Sequence, residues 1–151
     1  MVTGAGGGRG IGGGAAPSRP ARIPVSAAQR RMLFIESFEP GQPVYNLPLM
    51  QQITGPLDRV ALEAAFSTVV ARHEALRTDF VLVDGEWTQQ VAPLEAVSIP
   101  LDDLRDADAS VVDAAVVAEV RRPFDLGTGP KIRARLLQTG DDEHLLSLIH
   151  I

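Results

Sequence analysis

Two places in this 151-residue sequence carry residue types at spacings that could do chemistry. His73-Glu74 begins the HExxH pattern, in which two imidazoles one helical turn apart hold a zinc ion and the glutamate serves as base. The fifth position is Arg77, so the second ligand is absent and the metal reading fails. The opening MVTGAGGGRGIGGG contains Gly6-x-Gly8-x-x-x-Gly12, glycine spacing that could cradle a phosphate. Such a loop works only when a buried strand delivers it and a helix follows, so that backbone N–H groups converge on the anion. Only Met1 and Val2 precede Thr3, and Pro17, Pro20 and Pro24 interrupt the place where the helix would run. Eight glycines in fourteen residues satisfy many glycine patterns by composition alone. Residues 1–22 are therefore expected to be a flexible Gly/Pro-rich linker, with no directly bound cofactor.

Composition narrows the rest. Fourteen basic and nineteen acidic residues leave a net charge of −5, without the Lys/Arg stripe that tracks a phosphate backbone, so nucleic acid is not an expected partner. The absence of cysteine excludes disulfides and thiolate metal sites. No apolar run approaches the ~20 residues of a membrane helix, nor does the N-terminus read as a secretory signal. No membrane association is expected, and the cytoplasm is the expected location.

The elements that would position any chemistry alternate between helix and strand. Residues 25–38 read as a helix opened by a Ser26/Gln29 capping box. Apolar residues lie on nearly all its faces, which predicts burial between layers. Residues 45–55 read as an extended segment, with Pro48 marking an edge strand or an entry point. A second helix follows Asp58. At 100° per residue its Leu62, Phe66, Val69, His73 and Leu76 fall within about 80°, which predicts that His73 faces the core as a structural histidine. Residues 78–93 read as a hairpin around Asp84-Gly85. Residues 108–121 form a helix stopped by Pro123, and 131–138 form a strand with Ile132, Ala134 and Leu136 inward. Arg133 and Arg135 are then expected on a solvated outer face. A last strand covers 143–151. The sum is a layered α/β arrangement.

Three motifs carry a family resemblance. Arg72-His73-Glu74-Ala75-Leu76-Arg77-Thr78-Asp79-Phe80 resembles the RHExLRTxF signature of the condensation domains of nonribosomal peptide synthetases, at every specified position. Ser26-Ala27-Ala28-Gln29-Arg30-Arg31-Met32 resembles the family's opening SxAQxR(L/M), with Leu33 where tryptophan is usual. Pro123-Phe124-Asp125-Leu126, then Gly129-Pro130 and Arg133, is similar to PFDLxxGPxxR.

The resemblance implies a chloramphenicol-acetyltransferase-like fold, of which residues 23–151 would be the N-terminal lobe, the first of two and incomplete. It also implies an amide-forming acyltransferase that joins carrier-bound aminoacyl or peptidyl thioesters. Substrates would arrive on the phosphopantetheine arms of upstream and downstream carrier domains, and a missing second lobe would complete the domain. The family's HHxxxDG motif aligns with the end of the chain, placing His150 on the second histidine, the base toward the attacking amine, and Ile149 on the first. An imidazole suits that task because its pKa lies near the working pH. His150 is the one catalytic candidate; Ser26, Gln29, Arg72, His73 and Arg77 are expected to be structural. The stretch by itself is expected to be inactive. An epimerisation domain or carrier-dependent O-acyltransferase shares the fold, and a noncatalytic docking platform remains a second class of reading.

Overall fold

The computed structural model describes Pro20 and residues 22–151, so nearly all of the expected linker lies outside the described residues. A four-stranded sheet of order β2-β7-β6-β5 carries the molecule. It is built from β2 (Leu47–Thr54), β5 (Leu101–Asp103), β6 (Ile132–Gly140) and β7 (Glu143–His150). All its pairings are antiparallel except β5 with β6. A smaller sheet of order β1-β4-β3 joins β1 (Ile23–Pro24) to the hairpin of β3 (Thr78–Val83) and β4 (Glu86–Val91). The helices are α1 (Ala27–Phe38), α2 (Arg59–Arg72) and α3 (Ala109–Arg121).

The local signals act where they stand. The Ser26 hydroxyl accepts from the Gln29 amide at 3.2 Å while the Gln29 side chain accepts from the Ser26 amide at 2.8 Å, closing the capping box of α1. The Asp58 carboxylate caps α2 by accepting from the Ala61 amide at 3.0 Å. Asp84 and Gly85 both take positive φ, 53° and 81°, which matches the hairpin turn to the twist of its strands. Pro48 lies in β2, which is an edge strand as its proline demands.

Packing follows the pleat. Ile132, Ala134 and Leu136 turn one face of the large sheet toward Phe66 and Val70 of α2 and toward Ile99. Each such large apolar side chain contributes about 1.5–3 kcal/mol on burial. The opposite face meets α3, whose Glu119 reaches Arg133 and Arg135. Helix, sheet and helix form three layers, the α/β class expected.

Three expectations are corrected here. Helix α1 is not enclosed between layers: Leu33 is buried, whereas Phe34, Ile35 and Phe38 are exposed. The small sheet and the 123–127 segment cover only one side of α1, and Phe34 and Phe38 stack edge-to-face at 4.8 Å on its outer side. His73 does not face the core. Helix α2 ends at Arg72, His73 is its exposed C-terminal cap at φ −112° and ψ 91°, and Glu74–Arg77 continue as a 3-10 turn. A 100° step cannot be carried past the residue at which the helix stops, and the buried stripe runs through Phe66 and Val70, with Val69 turned outward. Arg133 is not on a solvated face, because α3 covers it, while Arg135 keeps about a third of its side chain in solvent, 37% exposed.

Candidate functional site

The motif segments, far apart in sequence, are bonded to one another. The Lys131 amide donates to the Leu76 carbonyl at 2.7 Å, and the Phe80 amide donates to that of Leu126 at 2.9 Å. The RHEALRTDF segment is thereby sewn to the PFDLGTGP segment. Lys131 reinforces the seam: its ammonium, almost wholly buried, donates to Asp79 at 2.8 Å and to the carbonyls of Thr128 and Gly129 at 3.2 and 2.6 Å. All three donors of the ammonium are used.

Arg133, in the arginine place of the third motif, lies 4.1 Å over the ring of Phe124 from the same motif. Its Nε donates to Glu119 at 2.8 Å, and its Nη2 donates to the carbonyls of Glu119 and Arg122. Burial pushes the Arg133 guanidinium below its ordinary value and the neighbouring Arg122 charge adds to this, while Glu119 opposes both. Arg135 is held above its ordinary value chiefly by its bond to Asp102 at 2.6 Å. Glu119 therefore serves three arginines from a buried position, on the inner side of a helix rich in valine and alanine.

The residues expected to be structural divide. Ser26 and Gln29 cap α1, and Gln29 also donates to Gln89 at 3.1 Å, which donates to the Pro24 carbonyl at 2.9 Å. Arg77 donates to the Ala92 carbonyl at the foot of the hairpin, while its Nε is buried with no hydrogen-bond partner among the described residues. Arg72 and His73 are exposed.

His150 stands at the end of β7, paired on one side with Ile132 of β6 and on the other with Leu47 of β2. It shares the α2-covered face with Leu146 and Leu148, which pack against the core there. The imidazole is half-buried, and no described side chain hydrogen-bonds it. Ile149 points the opposite way and is fully buried. Asn46, not singled out by sequence, ties the entry to β2: its amide donates to the carbonyls of Val120 and Arg122 at 2.6 and 2.9 Å. Among the described residues no group of three His, Cys, Asp or Glu is placed to hold a metal ion.

Known proteins resemble this chain in sequence and in fold. The sequence model described as "Condensation domain" matches residues 21–150. The chain is similar to tyrocidine synthase 3 of Brevibacillus parabrevis, 37% identical over 128 residues that cover 85% of this chain and 2% of that protein. It is similar to isonitrile lipopeptide synthase of Mycobacterium tuberculosis, 41% identical over 134 residues, with 87% and 5% covered. The starter condensation domain of rhizomide synthetase RzmA superposes with a TM-score of 0.76 at 26% identity, over 87% of this chain and 32% of that one. The chain thus spans a few per cent of these synthases and about a third of the solved domain. Matched over nearly all of its described length by both sequence and fold, the chain belongs to the condensation domain family.

Proposed function

We propose that this lobe takes part in amide-bond formation between two carrier-bound thioesters, with His150 receiving the proton of the attacking amine. The amine nitrogen of the acceptor attacks the carbonyl carbon of the donor thioester, a C–N bond forms and the C–S bond breaks. The proton that leaves the nitrogen passes through the imidazole to the departing phosphopantetheine sulfur, so His150 ends as it began. The observation that carries the reading is the position of His150: it ends a strand of the main sheet, half-buried, with no competing hydrogen bond among the described residues. Ile149 in the preceding place leaves that face unchanged, because it points to the other side of the sheet.

Aminolysis of a thioester also needs both substrates aligned and donors for the developing oxyanion. Residues 1–151 offer the proton-handling group, so this stretch alone forms no peptide bond in our reading. The remainder of the domain, the second lobe, would supply the other wall, and flanking carrier domains would present the substrates, in the cytoplasm. Among the described residues no helix is long and apolar enough to cross a membrane.

The test loads donor and acceptor carriers and follows dipeptidyl thioester by mass spectrometry, comparing this stretch, the protein at its natural length and its His150→Ala variant. Product from the natural-length protein that falls about 10²-fold or more in the variant supports the reading. A rate indifferent to His150→Ala removes this residue from catalysis. Exchange of the substrate α-proton without amide product assigns epimerisation instead, and carrier binding without any turnover assigns a docking platform.

A further inference from the structure

We propose that Leu47 is a specificity-determining contact for the acceptor substrate, selecting an apolar aminoacyl side chain; the inference rests on the reading of His150 as the group that receives the amine proton. The antiparallel register sets Leu47 directly opposite His150. Directly opposed residues project from the same face with Cβ atoms about 4.5–5.5 Å apart. On its other flank His150 opposes Ile132, which is buried beneath Phe66 and Val70. The two flanks differ in one respect: the Ile132 side is filled, whereas Leu47 is 57% exposed and Leu49, one pair further along the same face, is 58% exposed.

An amine that reaches the imidazole therefore arrives over the open side, across β2. For proton transfer its nitrogen must come within roughly 2.6–3.2 Å of the imidazole. The acceptor α-carbon is one bond further and its side chain begins there, within reach of the Leu47 isobutyl group. That group offers no donor or acceptor, so an apolar side chain gains by burial against it while a carboxylate would be desolvated without a partner. Leu49, about 7 Å along the strand, extends the same wall for longer side chains. The acceptor is the substrate concerned because the amine is the group that His150 serves.

The position of Leu47 is held from both sides. Asn46 pins the preceding residue to the end of α3, and Pro48 follows with a restricted φ, paired with Ile149. A side chain that is both exposed and carried on a fixed backbone can be exchanged without disturbing the core.

The experiment uses the natural-length protein with one donor carrier and an equal mixture of leucyl- and glutamyl-loaded acceptor carriers, and reads the ratio of the two amide products. The expected wild-type ratio favours leucyl, and Leu47→Lys shifts it toward glutamyl by about tenfold or more. Leu47→Ala gives a smaller change in the same assay, and Val60→Lys, on the exposed side of α2, leaves the ratio unchanged. A parallel competition between two donors stays at the wild-type ratio in every variant. An acceptor ratio untouched by both Leu47 variants overturns the inference, as does an equal loss for both acceptors or a shift confined to donors. If amide formation requires His150 yet ignores Leu47, this inference alone fails; if the wild type makes no amide at all, the reading of His150 fails and takes this one with it.

Discussion

Lys131 and Asp79, 52 residues apart, form an ion pair at 2.8 Å with only 2% of the lysine side chain exposed. The pair joins the residue just before β6, inside the third motif, to β3, in which the RHEALRTDF segment ends. The ammonium also holds two carbonyls of the 128–129 turn, so it is compensated on every side. Removing one partner of a buried pair is costly because the other is left desolvated, although Asp79 keeps some contact with solvent.

Lys131→Ala should therefore destabilise the fold by about 3 kcal/mol, and Asp79→Asn by less, since the two carbonyl acceptors remain. Denaturant melts of both variants check the order. A midpoint for Lys131→Ala equal to that of the wild type would show that the pair contributes nothing.

Glu119 poses the same question from the anionic side. It accepts from Arg122, Arg133 and Arg135, and its own side chain is 5% exposed. Glu119→Gln keeps the shape and removes the charge, leaving Arg133 buried without its counter-ion, at an expected cost of about 3–5 kcal/mol. Arg122→Ala, which truncates an arginine that is more than half exposed, should cost less than about 1 kcal/mol. Thermal melts showing the two variants equally destabilised would contradict the buried placement of Glu119.

The end of α2 can be read by three truncations. Val70→Ala should cost about 2 kcal/mol, because it empties a buried site beside Phe66. Val69→Ala and His73→Ala, both on exposed positions, should each stay within about 0.5 kcal/mol. A large loss for His73→Ala would restore the core-facing histidine.

Asp103 has its pKa lowered from 3.8 to about 2, first by its side-chain hydrogen bonds from Arg105 and next by the Arg105 backbone amide. Because the folded value lies below the unfolded one, the contribution of this carboxylate to stability is present above about pH 4 and is lost as pH falls toward 2. An NMR titration of the Asp103 carboxyl carbon should show a midpoint near 2 in the wild type and a return toward the ordinary aspartate range in Arg105→Ala. An unshifted midpoint in the wild type would remove the pair.

Where a signal acts within a few residues of itself, the sequence determined the outcome. The Ser26/Gln29 box starts α1, Asp58 starts α2, and Asp84-Gly85 turns the hairpin, because each supplies the hydrogen bond or the positive φ that its own segment needs. The inward alternation of Ile132, Ala134 and Leu136 is likewise a property of the strand's period of two. The motifs carried the family. Which surfaces meet was decided by the tertiary structure alone. Periodicity defines a face relative to an element's own axis and is silent about what covers it, so α1 was expected to be enclosed and leaves Phe34 and Phe38 outside. Arg133 was expected in water and lies under Glu119. The three-residue β5 and the two-residue β1 are too short to show a period, and they exist because a neighbouring strand offers its edge. The surroundings of His150 belong to this second class: its histidine is in the sequence, but its place between filled Ile132 and open Leu47 comes from a register that pairs residues 18 and 103 positions away. Long-range pairing of that kind is set by the packing of whole elements, and no local stretch of chain encodes it.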